Sequence, residues 1–154
     1  MARPHIRRSL VTAAMTMTLA VTSLILAPAA NAGRVDFTRC GGTGTVRDVM
    51  VSNAEGPVAD LNPGTPYTVE IGMIPSAAAQ YLHLRVTATY LGFPITIIDQ
   101  ELPNSSAQPG VPITVTFTLT PNDILKGNTL PVRMEVSNQN GFVETCSSIQ
   151  VHVQ

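Results

Sequence analysis

Residues 81–102 read YLHLRVTATYLGFPITIIDQEL, two apolar strands joined across a short corner. Leu82, Leu84, Val86, Ala88 and Tyr90 fall on one face, with His83, Arg85, Thr87 and Thr89 on the other. Period-2 alternation of this kind marks a strand with one buried face. Past the Leu91-Gly92-Phe93-Pro94 corner, Phe93, Ile95 and Ile97 keep one parity while Pro94 and Thr96 take the other. Gly92 supplies the bend, and Pro94 withholds an amide that would otherwise pair there.

The same pattern recurs on both sides of this stretch. Residues 45–52 form a first strand of mixed faces. Residues 65–74 follow, with Tyr67, Val69, Ile71 and Met73 aligned. Ile113, Val115, Phe117 and Leu119 alternate with threonines; Leu130, Val132, Met134 and Val136 mark a sixth strand; Ile149, Val151 and Val153 share a face of the last. Gly56-Pro57, Asn62-Pro63-Gly64 and Asn140-Gly141 are turn signals between them. About seven strands at this spacing, with no amphipathic helix, predict an all-β, immunoglobulin-like antiparallel β-sandwich.

Residues 1–32 stand apart. Arg3, Arg7 and Arg8 precede an apolar run that ends in Ala30-Asn31-Ala32. This is the three-part form of a secretory signal peptide with cleavage after Ala32. A retained anchor is the alternative, but threonines and Ser23 interrupt the run, and the small-residue exit favours cleavage. Residues 33–154 then form one exported domain. Without the three arginines, six basic residues face ten acidic ones, a net charge of −4. Such a domain has no electrostatic footprint for nucleic acid or for an anionic membrane surface.

Cys40 and Cys146 are the only cysteines. An even pair in an exported domain favours a disulfide. A metal site would need His or carboxylate partners at ligand spacing, and no such cluster is present, so neither metal nor cofactor is expected. The Cys40-Gly41-Gly42-Thr43-Gly44 run is not a phosphate loop, because a strand rather than a helix follows it. His83 and His152 each sit on the polar side of a strand, and Asp99 and Glu101 read as charges that keep a strand end soluble. Lys126 lies in a turn and reads as solvated. No nucleophile and base are paired, so the chain is read as a non-enzyme. Asn104-Ser105-Ser106 fits the N-glycosylation pattern.

Four segments in order carry a resemblance. They are Cys40-Gly41-Gly42, the 61–69 stretch LNPGTPYTV, Leu91-Gly92-Phe93-Pro94-Ile95, and the 146–153 stretch CSSIQVHV. Together they resemble the ML (lipid-recognition) domain family, which includes the Niemann–Pick type C cholesterol carrier and group 2 mite allergens. The resemblance spans residues 36–153 and implies a secreted sandwich whose two sheets part to admit a sterol or acyl chain. It implies a bond between Cys40 and Cys146. It places Phe93, Ile95 and Ile97 at the lipid entrance, Val115 and Phe117 on the facing strand, and Ile149 and Val151 in the final strand's core. The chain departs from the family in lacking further cysteines and tryptophan, and in carrying Ser147 where an aromatic commonly follows the last cysteine.

The function this implies is lipid binding or transfer, with a sterol, fatty acyl or phospholipid tail held between the sheets. The expected lining is Tyr67, Val69, Ile71, Leu84, Val86, Ala88, Phe93, Ile95, Ile97, Val115, Phe117, Met134 and Ile149. The partners implied are the lipid itself and a membrane or lipid-presenting receptor, and a monomer is expected. The competing reading is a secreted structural or adhesion module of the same fold with a dry core, because apolar rows of this kind also fill ordinary sandwiches.

Overall fold

In the computed structural model, which describes residues 32–154, the alternating segments become ten strands. They are β1 (Ala32–Arg34), β2 (Thr38–Gly41), β3 (Thr45–Ser52), β4 (Val58–Leu61), β5 (Tyr67–Ile74), β6 (Leu82–Tyr90), β7 (Phe93–Glu101), β8 (Ile113–Leu119), β9 (Thr129–Asn138) and β10 (Val143–Val153). One sheet runs β1-β3-β5-β8. The other runs β2-β10-β9-β6-β7, with β4 also paired to β10. The sandwich expected from the alternation is present. The leader expected over residues 1–32 lies, apart from Ala32, outside the described residues.

The count differs from seven because β1, β2 and β4 are three or four residues long. Alternation cannot register in so few positions. β4 also pairs with β10 in parallel, Val58 to Gln150 through Leu61 to Val153, so the sandwich is not wholly antiparallel. The mixed faces of the first strand have a local cause. The register of β3 against β5 shifts between Val46 and Asp48. This bulge leaves Val46, Val49 and Val51 all buried despite their uneven spacing.

Inward residues of both sheets form one core. Val69 and Ile71 pair with Phe117 and Val115 across β5 and β8. Leu84, Val86 and Ala88 pair with Val136, Met134 and Val132 across β6 and β9. Each buried Val, Leu or Ile contributes about 1.5–3 kcal/mol by leaving water. Tyr67 is buried through its ring, and its hydroxyl oxygen accepts the Asn62 amide at 2.8 Å, fixing the turn before β5. In the turn before β9, Asn122 caps a single 3-10 turn (Asp123–Leu125) and accepts the Ile124 amide at 3.0 Å.

Cys40 and Cys146 are bonded, with 5.0 Å between their Cα atoms and a sequence separation of 106. The bond ties β2 to β10. At the β9–β10 turn Gly141 alone takes a positive φ, 79°. The Asn138 side chain closes that turn by accepting the amides of Asn140 and Phe142.

Candidate functional site

β7 pairs only with β6, and β8 only with β5, so each sheet ends in one of these strands. Beyond the end of β7 is an opening of about 230 Å³, bordered by Leu82 at the start of β6 and Leu102 on one side and by Ile113 and Val115 at the start of β8 on the other. Residues 103–106 form its rim. There the Ser105 hydroxyl donates to the Leu102 carbonyl at 2.6 Å and accepts the Leu82 amide at 2.8 Å. Asn104 stands beside it with φ 51°, a conformation that Asn tolerates better than most residues. Ile98 and Ile113 pack against the core from the two edges without being fully covered.

Ten of the thirteen residues expected to line a guest enter the core between the sheets. Tyr67, Val69, Ile71, Leu84, Val86, Ala88, Val115, Phe117, Met134 and Ile149 are 0–7% exposed. Side chains this closely covered leave no room for a lipid at their own positions. The cavity expected there is closed in this structure, and its lining is packed as core.

The other three residues lie outside this packed core. Phe93, Ile95 and Ile97 are 72%, 47% and 41% exposed. They do not lie between the sheets. Two physical causes separate them from the core. First, the register of β6 against β7 shifts between Val86 and Thr87, so Val86 opposes Ile98 while Thr87 opposes Thr96. Ile97 is the extra residue of this bulge, and Ile98 takes the inward place that simple alternation assigned to Ile97. The adjacent Ile97-Ile98 pair was the signal, because two apolar β-branched residues in succession break a period of two. Second, opposed residues of an antiparallel pair share a face. Ile95 opposes Ala88 and so belongs to the inward face. Its exposure means that the facing sheet does not cover it.

The hairpin tip adds to this apolar edge. Leu91 turns the corner with φ 50°, followed by Gly92 at 82°. Left-handed backbone costs a leucine about 1 kcal/mol relative to glycine or asparagine, and Leu91 is 76% exposed. No charged residue occurs between Arg85 and Asp99. Those two close the polar end of the hairpin on its outer face. The Arg85 guanidinium donates to Asp99 Oδ2 from two nitrogens, at 2.9 and 3.1 Å, and His83 Nε2 lies 3.0 Å from Oδ1. His152 is likewise outward, its Nδ1 3.0 Å from Thr129 Oγ1. Lys126 is exposed after the 3-10 turn.

The alternation argument also missed inward polar groups on β10. Glu144, Thr145 and Ser147 are buried. Ser147 has the same parity as Ile149 and Val151, which is the signal that could have placed it inside.

No protein-family model matches the chain, and no curated protein matches it. Solved structures do. A Niemann-Pick type C2 protein from Japanese carpenter ant superposes with a TM-score of 0.62 at 14% identity, over 77% of this chain and 99% of that one. The C-terminal domain of wzt gives 0.59 at 15% identity, over 77% of this chain and 78% of that one. Chicken MD-1, solved in complex with lipid IVa, gives 0.50 at 8% identity, over 74% of this chain and 85% of that one. At these identities the likeness is one of fold, the two-sheet β-sandwich described above.

Proposed function

We propose that this protein is a secreted lipid carrier that admits an apolar chain or a sterol between its sheets through the β7–β8 edge. The observation that carries the proposal is the apolar, exposed edge strand β7, with an opening past its C-terminal end bordered by Leu102, Ile113 and Val115. A monomeric protein rarely exposes Leu91, Phe93, Ile95 and Ile97 together without a use for them. The fold shared with a protein that was solved holding lipid IVa supports the reading. The Cys40–Cys146 bond, which persists in oxidising compartments, and the leader pattern of residues 1–32 support export. The delivery partner is a membrane or a lipid-presenting receptor, and the carrier acts as a monomer without catalysis.

Because the inward residues are closed, uptake requires β7 and β8 to part. A guest that loses about 300 Å² of apolar surface gains about 7 kcal/mol, less the cost of association and of separating the edges. The closed core also favours the competing reading, a structural or adhesion module that never opens. Organic extraction of the purified protein, followed by lipid mass spectrometry and by uptake of a fluorescent fatty acid and a fluorescent sterol, separates the two. A carrier yields bound lipid or takes up a probe. Absence of both would leave the structural module.

A further inference from the structure

The interior of the sandwich is mostly apolar, but β10 places two hydroxyls on its inward face. The Ser147 hydroxyl is buried and has no hydrogen-bond partner. Ser147 is 1% exposed and shares the inward face of β10 with Ile149 and Val151. Two residues before it, Thr145 is equally buried, and its hydroxyl reaches only the Met73 sulfur, at 3.5 Å. A thioether is a weak acceptor. Two inward hydroxyls thus lie about 7 Å apart along one strand, one unpartnered and one poorly partnered. Leaving such a group unsatisfied costs about 1–3 kcal/mol.

The place is closed in this structure, but the side chains around it are ones that can move. Met73 from the facing sheet and Met134, the cross-strand neighbour of Ser147, are the side chains beside it. Methionine is unbranched and can repack with little penalty. The sheet register also leads there from the open edge. Ile98, Val86, Met134 and Ser147 are successive cross-strand neighbours, from β7 through β6 and β9 to β10. Three strand spacings give a path of about 14 Å. A lone water would find few partners beside these two hydroxyls and would leave the apolar remainder of any opening unfilled.

Resting on the lipid-carrier reading, we infer that Ser147, with Thr145, is an interior recognition point for the hydroxyl of a neutral lipid alcohol. The molecule enters polar end first from the β7–β8 edge and displaces Met73 and Met134. Its tail then lies along the Val86 and Ile98 row. The preferred class is the alcohol and not the fatty acid. A carboxylate in this position would be a buried charge, and no Lys or Arg occupies the row from Ile98 to Ser147.

The test uses three probes of equal chain length: dodecanol, dodecane and dodecanoate. Binding is followed by NMR of methyl-labelled methionine, with Met73 and Met134 assigned through Met→Leu variants and Met50 as the outward control. Dodecanol is expected to shift the Met73 and Met134 signals and not that of Met50, and to bind more tightly than either other probe. In Ser147→Ala, dodecanol binding falls about 3- to 10-fold while dodecane binding is unchanged. The urea midpoint of the variant rises, because an unsatisfied group has been removed. If dodecanol binds both chains equally, the assignment of Ser147 is overturned and the carrier reading stands. If none of the three probes binds the unaltered protein, both fall.

Discussion

The two flanks of the sandwich are closed by different means. On the β10 flank, a disulfide joins β2 to β10. Close by, Glu144 Oε2 accepts both the amide and the hydroxyl of Ser76 at 2.8 Å, joining β10 to the segment that follows β5 in the other sheet. Gly42, with φ 91°, brings its backbone so near Glu144 that a Cβ would lie 2.7 Å from the Glu144 carbonyl carbon. On the β7–β8 flank the two edge strands share no pairing, and Ile98 and Ile113 pack against the core as partly covered apolar side chains. The disulfide fastens the edge strand β2 within its own sheet, and the Glu144–Ser76 hydrogen bonds tie the two sheets together on the β10 flank, whereas the other flank has only packing, which can separate and reclose. A fold built this way opens where its cross-links are fewest.

The largest test of that difference compares two substitutions on opposed strands. Val86→Asp places an unpaired charge in the closed core and is expected to cost about 5 kcal/mol or more, enough to unfold a typical domain. Ile95→Asp, on the uncovered neighbour, should cost no more than about 0.5 kcal/mol. Urea denaturation monitored by circular dichroism measures both. Comparable losses would mean that β7 is roofed in solution and that the flanks are alike. It also follows that Val86→Asp is a poor probe of lipid uptake, since it attacks the fold first.

Next in size are the ties of the sealed flank. Replacing Cys40 and Cys146 together by Ala should cost about 4 kcal/mol, given the long loop they close. Glu144→Ala leaves the Ser76 amide without its acceptor and should cost about 2 kcal/mol. Both losses should appear in the urea midpoint while amide exchange in β7 and β8 stays as it was. If exchange in those strands rises with either substitution, the two flanks open as one unit.

Much of this arrangement was legible in the residues. Alternation at Leu82 through Ala88, and again at Ile113 through Leu119, is enough to assign both strands and their buried faces, because a one-residue slip would expose every apolar side chain. It does not reveal whether a second sheet covers that face. Ile95 and Ala88 have the same pattern and share a face, and they differ only in what lies above them. Coverage is a property of sheet width, which depends on pairings between distant segments. The bulge at Ile97 was written locally, in the Ile97-Ile98 pair, but simple parity passed over it. Ser147 was legible by the same parity, yet a serine among apolar neighbours carries no signal about its hydrogen bonds. That depends on Met73 and Met134, which come from other strands.

The smallest expected effect on stability is the most informative about function. Replacing Phe93 and Ile95 together by Ser removes two exposed side chains from an edge strand. Little burial is lost, so the urea midpoint should correspond to a change below about 1 kcal/mol. Polar residues also blunt an apolar edge and should reduce self-association at high protein concentration. If this edge is the way in, uptake of a fluorescent fatty acid should slow severalfold while the amount bound at equilibrium changes less, because the interior rows are untouched. A variant that takes up the probe at the original rate would show that lipid does not cross β7. A variant that loses equilibrium binding as well would show that the guest rests on the outer edge, with the closed core never opening at all.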